Sequence, residues 1–301
     1  MVFETPKILF PALNIGYPTI EEFTKMIENH LSINYNVSMP KQVGLFALWP
    51  HSLNKDSLTE FQNEWLLKST EKNLWTLSLD TEYVFSRLFK EYGVFPEVMG
   101  TCGGLYVVEK LEPINMPSFI QSVDFDGWVK RVKLALLILD FLEELDNIFE
   151  SPMHLCDVKS EHFGLSDNGK LKYLDVDNVF FKPIVDKSVG DGTFCEKHSE
   201  CDLFDCKGFC DLIENKCTGG VRNNNLQTVC EKMFLGQHLN FKSLGSTGLL
   251  ISKHANRRVQ EIVEKCANPA GATSEIRIEA NEEIFQELKS SLKEIVKIHS
   301  D

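Results

Sequence analysis

Two short strings carry residues that could do chemistry together, Cys156-Asp-Val-Lys159 and Leu174-Asp-Val-Asp177. A carboxylate can orient and deprotonate an attacking hydroxyl, and a lysine two residues on can neutralise a transferred phosphoryl group. A second carboxylate can hold magnesium on nucleotide phosphates, so the strings contain the parts of phosphoryl transfer. Asp157 is the candidate base, Lys159 the phosphate-neutralising cation, and Asp175 the metal ligand, with Asp177 offering a further oxygen. Between them lies Asp167-Asn168-Gly169, and an Asn-Gly pair flanked by alternating apolar residues signals a hairpin. That hairpin should bring the loop and both later acids to one end of a small sheet.

The elements that must position these residues are legible on either side. The helical pattern from Phe125 to Phe149 places a long buried helix just ahead of the loop, ending before Ser151-Pro152. Upstream, Thr19 is positioned to cap a helix over Ile20 to Leu31. Short apolar stretches, Val43 to Leu48 and Trp65 to Leu67, read as successive strands, the second presenting Lys68. A helix from about Asp80 to Lys90 carries Glu82 in its first turns, the candidate partner for Lys68. Phe95 to Glu109 reads as two strands joined at Gly103-Gly104, running into a hinge at Glu112-Pro113. Leu226 to Phe234, Ala255 to Cys266 and Asn281 to His299 read as helices.

At 301 residues and 43% hydrophobic content, the chain can bury the core of one two-lobed enzyme domain or two ordinary ones. The net charge of −13 argues against a nucleic-acid groove, which depends on clustered Lys and Arg. No apolar run approaches the length of a membrane helix, and Met1 to Phe10 lacks the layout of a signal peptide. Six of the nine cysteines lie between Cys195 and Cys230 without the paired Cys-x2-Cys knuckles of zinc sites. They therefore favour disulfides and an oxidising compartment over a zinc site that would include His198. Asn36-Val-Ser38 matches a glycosylation acceptor, and a leader or anchor is expected upstream of Met1. The pairing cannot be read from spacing, and the odd total leaves at least one thiol free or intermolecular.

In protein kinases the corresponding strings are H-R-D-x-K-x-x-N and, across a hairpin, D-F-G. Together with Phe95-Pro-Glu-Val-Met-Gly-Thr-Cys-Gly-Gly104 and the run Cys195 to Cys217 followed by Asn225-Leu-Gln-Thr-Val-Cys230, they make the chain resemble the divergent protein kinase domain family. This family comprises secretory-pathway kinase-like proteins that include the "deleted in autism" relatives. The resemblance covers roughly residues 60–235 and implies an α+β, bilobal protein-kinase-like fold. Residues 1–40 would be an N-terminal extension, 41–112 a small β-rich lobe, and 113–301 a mainly helical lobe with a cysteine-rich segment at 190–230. It further implies an ER, Golgi or secreted location, ATP with Mg²⁺ or Mn²⁺ as cofactors, and a protein substrate or binding partner in the lumen. Lys68 and Glu82 would be the nucleotide-positioning ion pair. The sequence departs from the pattern where Leu155 and Cys156 replace His and Arg, where His162 takes the place of the metal-binding Asn, and where Asp177 replaces glycine. Only Gly44 lies between Lys41 and Lys68, so there is no glycine-rich phosphate loop.

Three functions compete. The first is phosphoryl transfer from ATP to protein hydroxyls. The second is a pseudokinase acting as a lumenal or secreted binding module, favoured by His162 and the absent glycine loop. The third takes Asp175-Val-Asp177 as the D-x-D of a metal-dependent glycosyltransferase, which leaves Asp157-x-Lys159 unexplained. An EF-hand in the cysteine-rich segment lacks the required acidic loop.

Overall fold

The computed structural model describes residues 18–38, 48, 64–115, 124–236, 248–271, 274 and 276–298, with residues 64–67 described by backbone alone. The architecture is α+β, and the chain divides into two compact units. The first comprises residues 1–111 with 172–177, and the second comprises 112–171 with 178–301.

In the first unit, α1 (Ile20–Tyr35) starts at Thr19, whose side chain forms a reciprocal capping box with Glu22. Phe23, Ile27 and Leu31 recur at helical spacing and are fully buried, which seats α1 in this unit's core. Next comes α2 (Glu64–Ser78), then α3 (Thr81–Leu88), capped by Asp80 through a bond from the Tyr83 N–H. This corrects the expectation of a strand ending at Lys68, since Trp65 to Lys68 lie inside α2. A short apolar run reads equally as strand or helix when its period is too brief to judge. The strand expected at Val43 to Leu48 falls, but for Leu48, outside the described residues. Strands β1 (Val98–Cys102) and β2 (Leu105–Val108) form the antiparallel pair expected, with Thr101 opposite Tyr106. Gly103 takes the turn with φ of 62°, a left-handed conformation that costs glycine little.

The second unit opens with β3 (Glu112–Pro113), antiparallel to β5 (Phe163–Leu165). Its axis is α4 (Phe125–Ile148), capped by Asp124 and buried along one broad face through Trp128, Val132, Ala135, Ile138, Leu139 and Leu142, while Lys130, Lys133, Leu137 and Asp140 lie exposed on the other. An amphipathic helix of this kind lays its apolar stripe against the core of its unit. Strand β4 (Met153–Leu155) pairs with β7 (Val179–Phe181), which leads into α5 (Lys182–Val189). The hairpin turn is a type I turn closed by a glycine bulge. The Gly169 N–H donates to Ser166 O, the Ser166 N–H donates to Lys170 O, and Gly169 has φ of 79°. From it, β6 (Leu171–Tyr173) carries the chain into the first unit, where the Tyr173 N–H donates to Val94 O.

The cysteine-rich segment folds around β8 (Cys210–Asp211) and β9 (Lys216–Cys217). Helix α6 (Asn225–Val229) continues through a π-turn, Cys230–Phe234, and α7 (Arg257–Ala267) and α8 (Glu282–Ile298) complete the unit. Buried Lys289 of α8 sits 2.7 Å from both Asp140 and Glu143 of α4. Four disulfides join Cys156 to Cys206, Cys195 to Cys210, Cys201 to Cys217 and Cys230 to Cys266, and exposed Cys102 is the one free thiol. The sulfurs of Cys195, Cys201 and Cys210 lie close enough for a metal, but each is committed to a disulfide. The zinc alternative is thereby overturned. The disulfides are compatible with an oxidising secretory environment. Among the described residues no helix is long and apolar enough to cross a membrane.

Candidate functional site

The loop Cys156 to His162 leaves β4, and its backbone is fixed on every side within the second unit. Asn225, at the start of α6, accepts from the Leu155 N–H at 2.8 Å and donates to Met153 O at 2.7 Å. Cys156 donates its N–H to Asn178 O and is tied by its disulfide to Cys206. The neighbouring Asp205 donates its N–H to Cys156 O, and its Oδ2 accepts from the Val158 N–H, both at 2.8 Å. Lys232 lies 2.8 Å from the other oxygen of Asp205. Cys156 and Val158 are buried, whereas Asp157, in the bend between them, keeps its side chain 24% exposed.

Asp157 and Lys159 are brought together, with Nζ 2.8 Å from Oδ2. With Lys159 about half exposed, at 46%, such a pair adds no more than about 1 kcal/mol to stability, so it does not hold the loop. It does place a cation beside the carboxylate that would act as base. His162 is buried and its Nδ1 lies 2.9 Å from Asp157 O. A carbonyl only accepts, so Nδ1 carries the proton and the ring braces the loop from inside. His162 thus differs from the metal-binding Asn of the kinase pattern in having one ring nitrogen committed to its own loop.

The remaining acids lie in the first unit, where Asp175, Asp177, Asp80 and Glu82 influence one another. Tyr106 of β2 places its hydroxyl 2.9 Å from Asp80 Oδ1 and 3.2 Å from Glu82 Oε2. Burial pushes the Glu82 carboxyl up to about 7, with Asp80, Asp177 and Asp175 adding to the rise and the Tyr106 hydroxyl opposing it. Burial, then Asp175 and Asp80, likewise raise Asp177. The Asp177 N–H lies 3.3 Å from Asp175 Oδ1. Carboxylate oxygens suit a hard divalent cation such as Mg²⁺ or Mn²⁺, but no three of these acids bring their oxygens within 4.8 Å of one another, so the cluster is an electrostatic one in which Asp175 and Asp177 are the pair that could offer oxygens to a cation.

Lys68 stands on α2 one turn before buried Glu71, whose carboxyl burial raises and Lys68 lowers. Among the described residues no bond reaches either oxygen of Glu71. A cavity of about 520 Å³ beside the cysteine-rich segment is lined by His198, Lys207, Arg222 and Arg277. Two of its cations are already neutralised, Lys207 by Glu231 and Arg277 by Asp202.

Sequence reasoning missed Asp80, Tyr106, Asp205 and Asn225. Asp80 carried a readable signal, an acid just ahead of a helical pattern. Asp205 carried none, and Asn225, though it opens one of the stretches that carry the resemblance, gave no sign of its role, because both roles depend on contacts to a loop about 50 residues or more away. A family model described as the protein-kinase domain of FAM69 matches residues 74–269. The match spans about two-thirds of the chain and takes in both Asp157 and Asp175, so the chain belongs to that family and its fold is kinase-like.

Proposed function

We propose that this member of the FAM69 kinase-domain family binds ATP with a divalent cation and transfers phosphoryl groups to protein hydroxyls in the secretory lumen. The observation that carries the reading is the Asp157 carboxylate, 2.8 Å from Lys159 on a loop whose backbone is pinned before and after it. Catalysis by positioning needs that rigidity. Asp157 would accept the hydroxyl proton as the oxygen attacks, and Lys159 would balance charge on the transferred group. Asp175 and Asp177 would hold the cation, which when bound supplies charge neutralisation on the phosphate oxygens.

The test is a thermal-shift titration of oxidised protein with ATP, ADP and UDP-sugars, each with Mg²⁺ or Mn²⁺, beside Asp175→Ala. Ligand at about 100 times its Kd stabilises by about 2.7 kcal/mol, a shift of several degrees. A metal-dependent shift with ATP, lost in the variant, supports the nucleotide site. Transfer to a protein mixture, lost in Asp157→Asn, then supports catalysis. Binding without transfer favours the pseudokinase reading, to which the His162 brace already lends an observation. A shift confined to UDP-sugars reverses the assignment in favour of glycosyl transfer, and no shift at all removes every enzyme reading.

A further inference from the structure

In kinases that keep the H-R-D pattern, phosphorylation of the activation loop orders it through arginine contacts. Here Cys156 occupies the position of the arginine before the aspartate, and its partner Cys206 lies in the stretch after Asp175, where an activation segment would run. Two backbone-directed bonds flank the disulfide. Asp205 N–H donates to Cys156 O, and Val158 N–H donates to Asp205 Oδ2. Cys156 and Cys206 are both buried, Asp205 is paired to Lys232, and the Asp205 carbonyl accepts from the Asn223 side chain. The segment is therefore fixed to the body of its unit independently of the loop.

We infer that Cys206 and Asp205 are positioning residues for Asp157: a covalent staple and a carboxylate clamp do permanently what a phosphorylated activation loop does reversibly. The inference rests on the phosphotransferase reading for its catalytic half. Its structural half, that the loop is ordered by residues 205–206, stands apart from turnover.

The experiment compares the full oxidised chain with Cys156→Ser/Cys206→Ser, with Asp205→Asn, and with Cys195→Ser/Cys210→Ser, which opens a disulfide that contains no cysteine of the loop. Amide hydrogen exchange and steady-state phosphoryl transfer are both read. Opening the staple should speed exchange at the Val158 and Asp205 amides by about 10-fold, the effect of losing one hydrogen bond. It should lower kcat by about 100-fold with KM for ATP unchanged, the scale of a displacement near 1 Å. Asp205→Asn, which keeps the disulfide, should show the same pattern more weakly, while Cys195→Ser/Cys210→Ser lowers Tm and leaves loop exchange and kcat alone. Phosphatase treatment of the wild type should leave turnover unchanged. Unchanged kcat in the staple variant, or activity abolished by phosphatase, overturns the inference. If the wild type transfers nothing, the phosphotransferase reading fails by itself, and the exchange rates alone decide whether residues 205–206 order the loop.

Discussion

Replacing Glu82 with glutamine should make the protein more stable at high pH while leaving it unchanged at low pH. In the folded chain the Glu82 carboxyl is pushed from its ordinary 4.5 to about 7, so the folded state holds that proton more tightly than the unfolded one. The proton's contribution to stability is full below about 4.5 and is lost as pH rises through 7. The whole interval converts to about 3.4 kcal/mol. Screening by water at this half-buried side chain reduces it to roughly 2 kcal/mol. Glutamine mimics the protonated acid in shape and can still meet the Tyr106 hydroxyl. Between pH 5 and 8 the wild type should thus fall by roughly 2 kcal/mol relative to Glu82→Gln, or roughly 5 °C in Tm. Asp146, raised to about 6 by burial, and His154, lowered to about 4 by burial, titrate in the same range but cancel in the difference between the two proteins. Paired thermal melts across that range suffice. Parallel curves would refute the acidic cluster as the cause. Millimolar Mg²⁺ should narrow the gap at pH 8, because a cation there rewards the ionised carboxylate.

Asn225→Ala strips partners from the Leu155 N–H and Met153 carbonyl, both buried, and should cost about 2–4 kcal/mol in chemical denaturation. Gly208→Ala should destabilise by about 1–3 kcal/mol, since an added Cβ would stand 2.2 Å from the Cys201 carbonyl oxygen; a melt matching wild type would contradict that packing. Lys289→Ala loses a buried stem but leaves Asp140 and Glu143 partly exposed to water, so its cost in the same assay should stay near 1–2 kcal/mol. Opening the Cys156–Cys206 pair, which spans 50 residues, should cost about 4 kcal/mol in the chain-entropy account. The pairs spanning 15 and 16 residues should cost about 3 kcal/mol each, measured by denaturation of the three double-serine variants.

Local signals were legible wherever a residue's neighbours in sequence are also its neighbours in space. Thr19 caps α1 through Glu22, the Asn168-Gly169 turn closes the hairpin, and Gly103 turns β1 into β2. The long helix ahead of the loop announced itself by its apolar content. Trp65 to Leu67 misled because three apolar residues have no period to display, and the buried residues of α2, among them Leu74 and Leu77, lie further along it. Asp157 and Lys159 could be nominated from spacing, but the clamp on their loop could not. A bond from Asp205 or Asn225 to that loop leaves no trace in either segment alone.

The order in which the cysteines pair is not the order in which they are made. Cys195 bonds Cys210 and Cys201 bonds Cys217, so the two links cross in sequence, and Cys156 bonds a residue synthesised 50 positions later. A chain oxidised as it emerges would meet Cys201 as the first nearby partner for Cys195, a pairing the finished protein lacks. A chain oxidised during synthesis would then reach the native set through thiol–disulfide exchange, whereas one oxidised after the ribosome has passed Cys217 could pair directly.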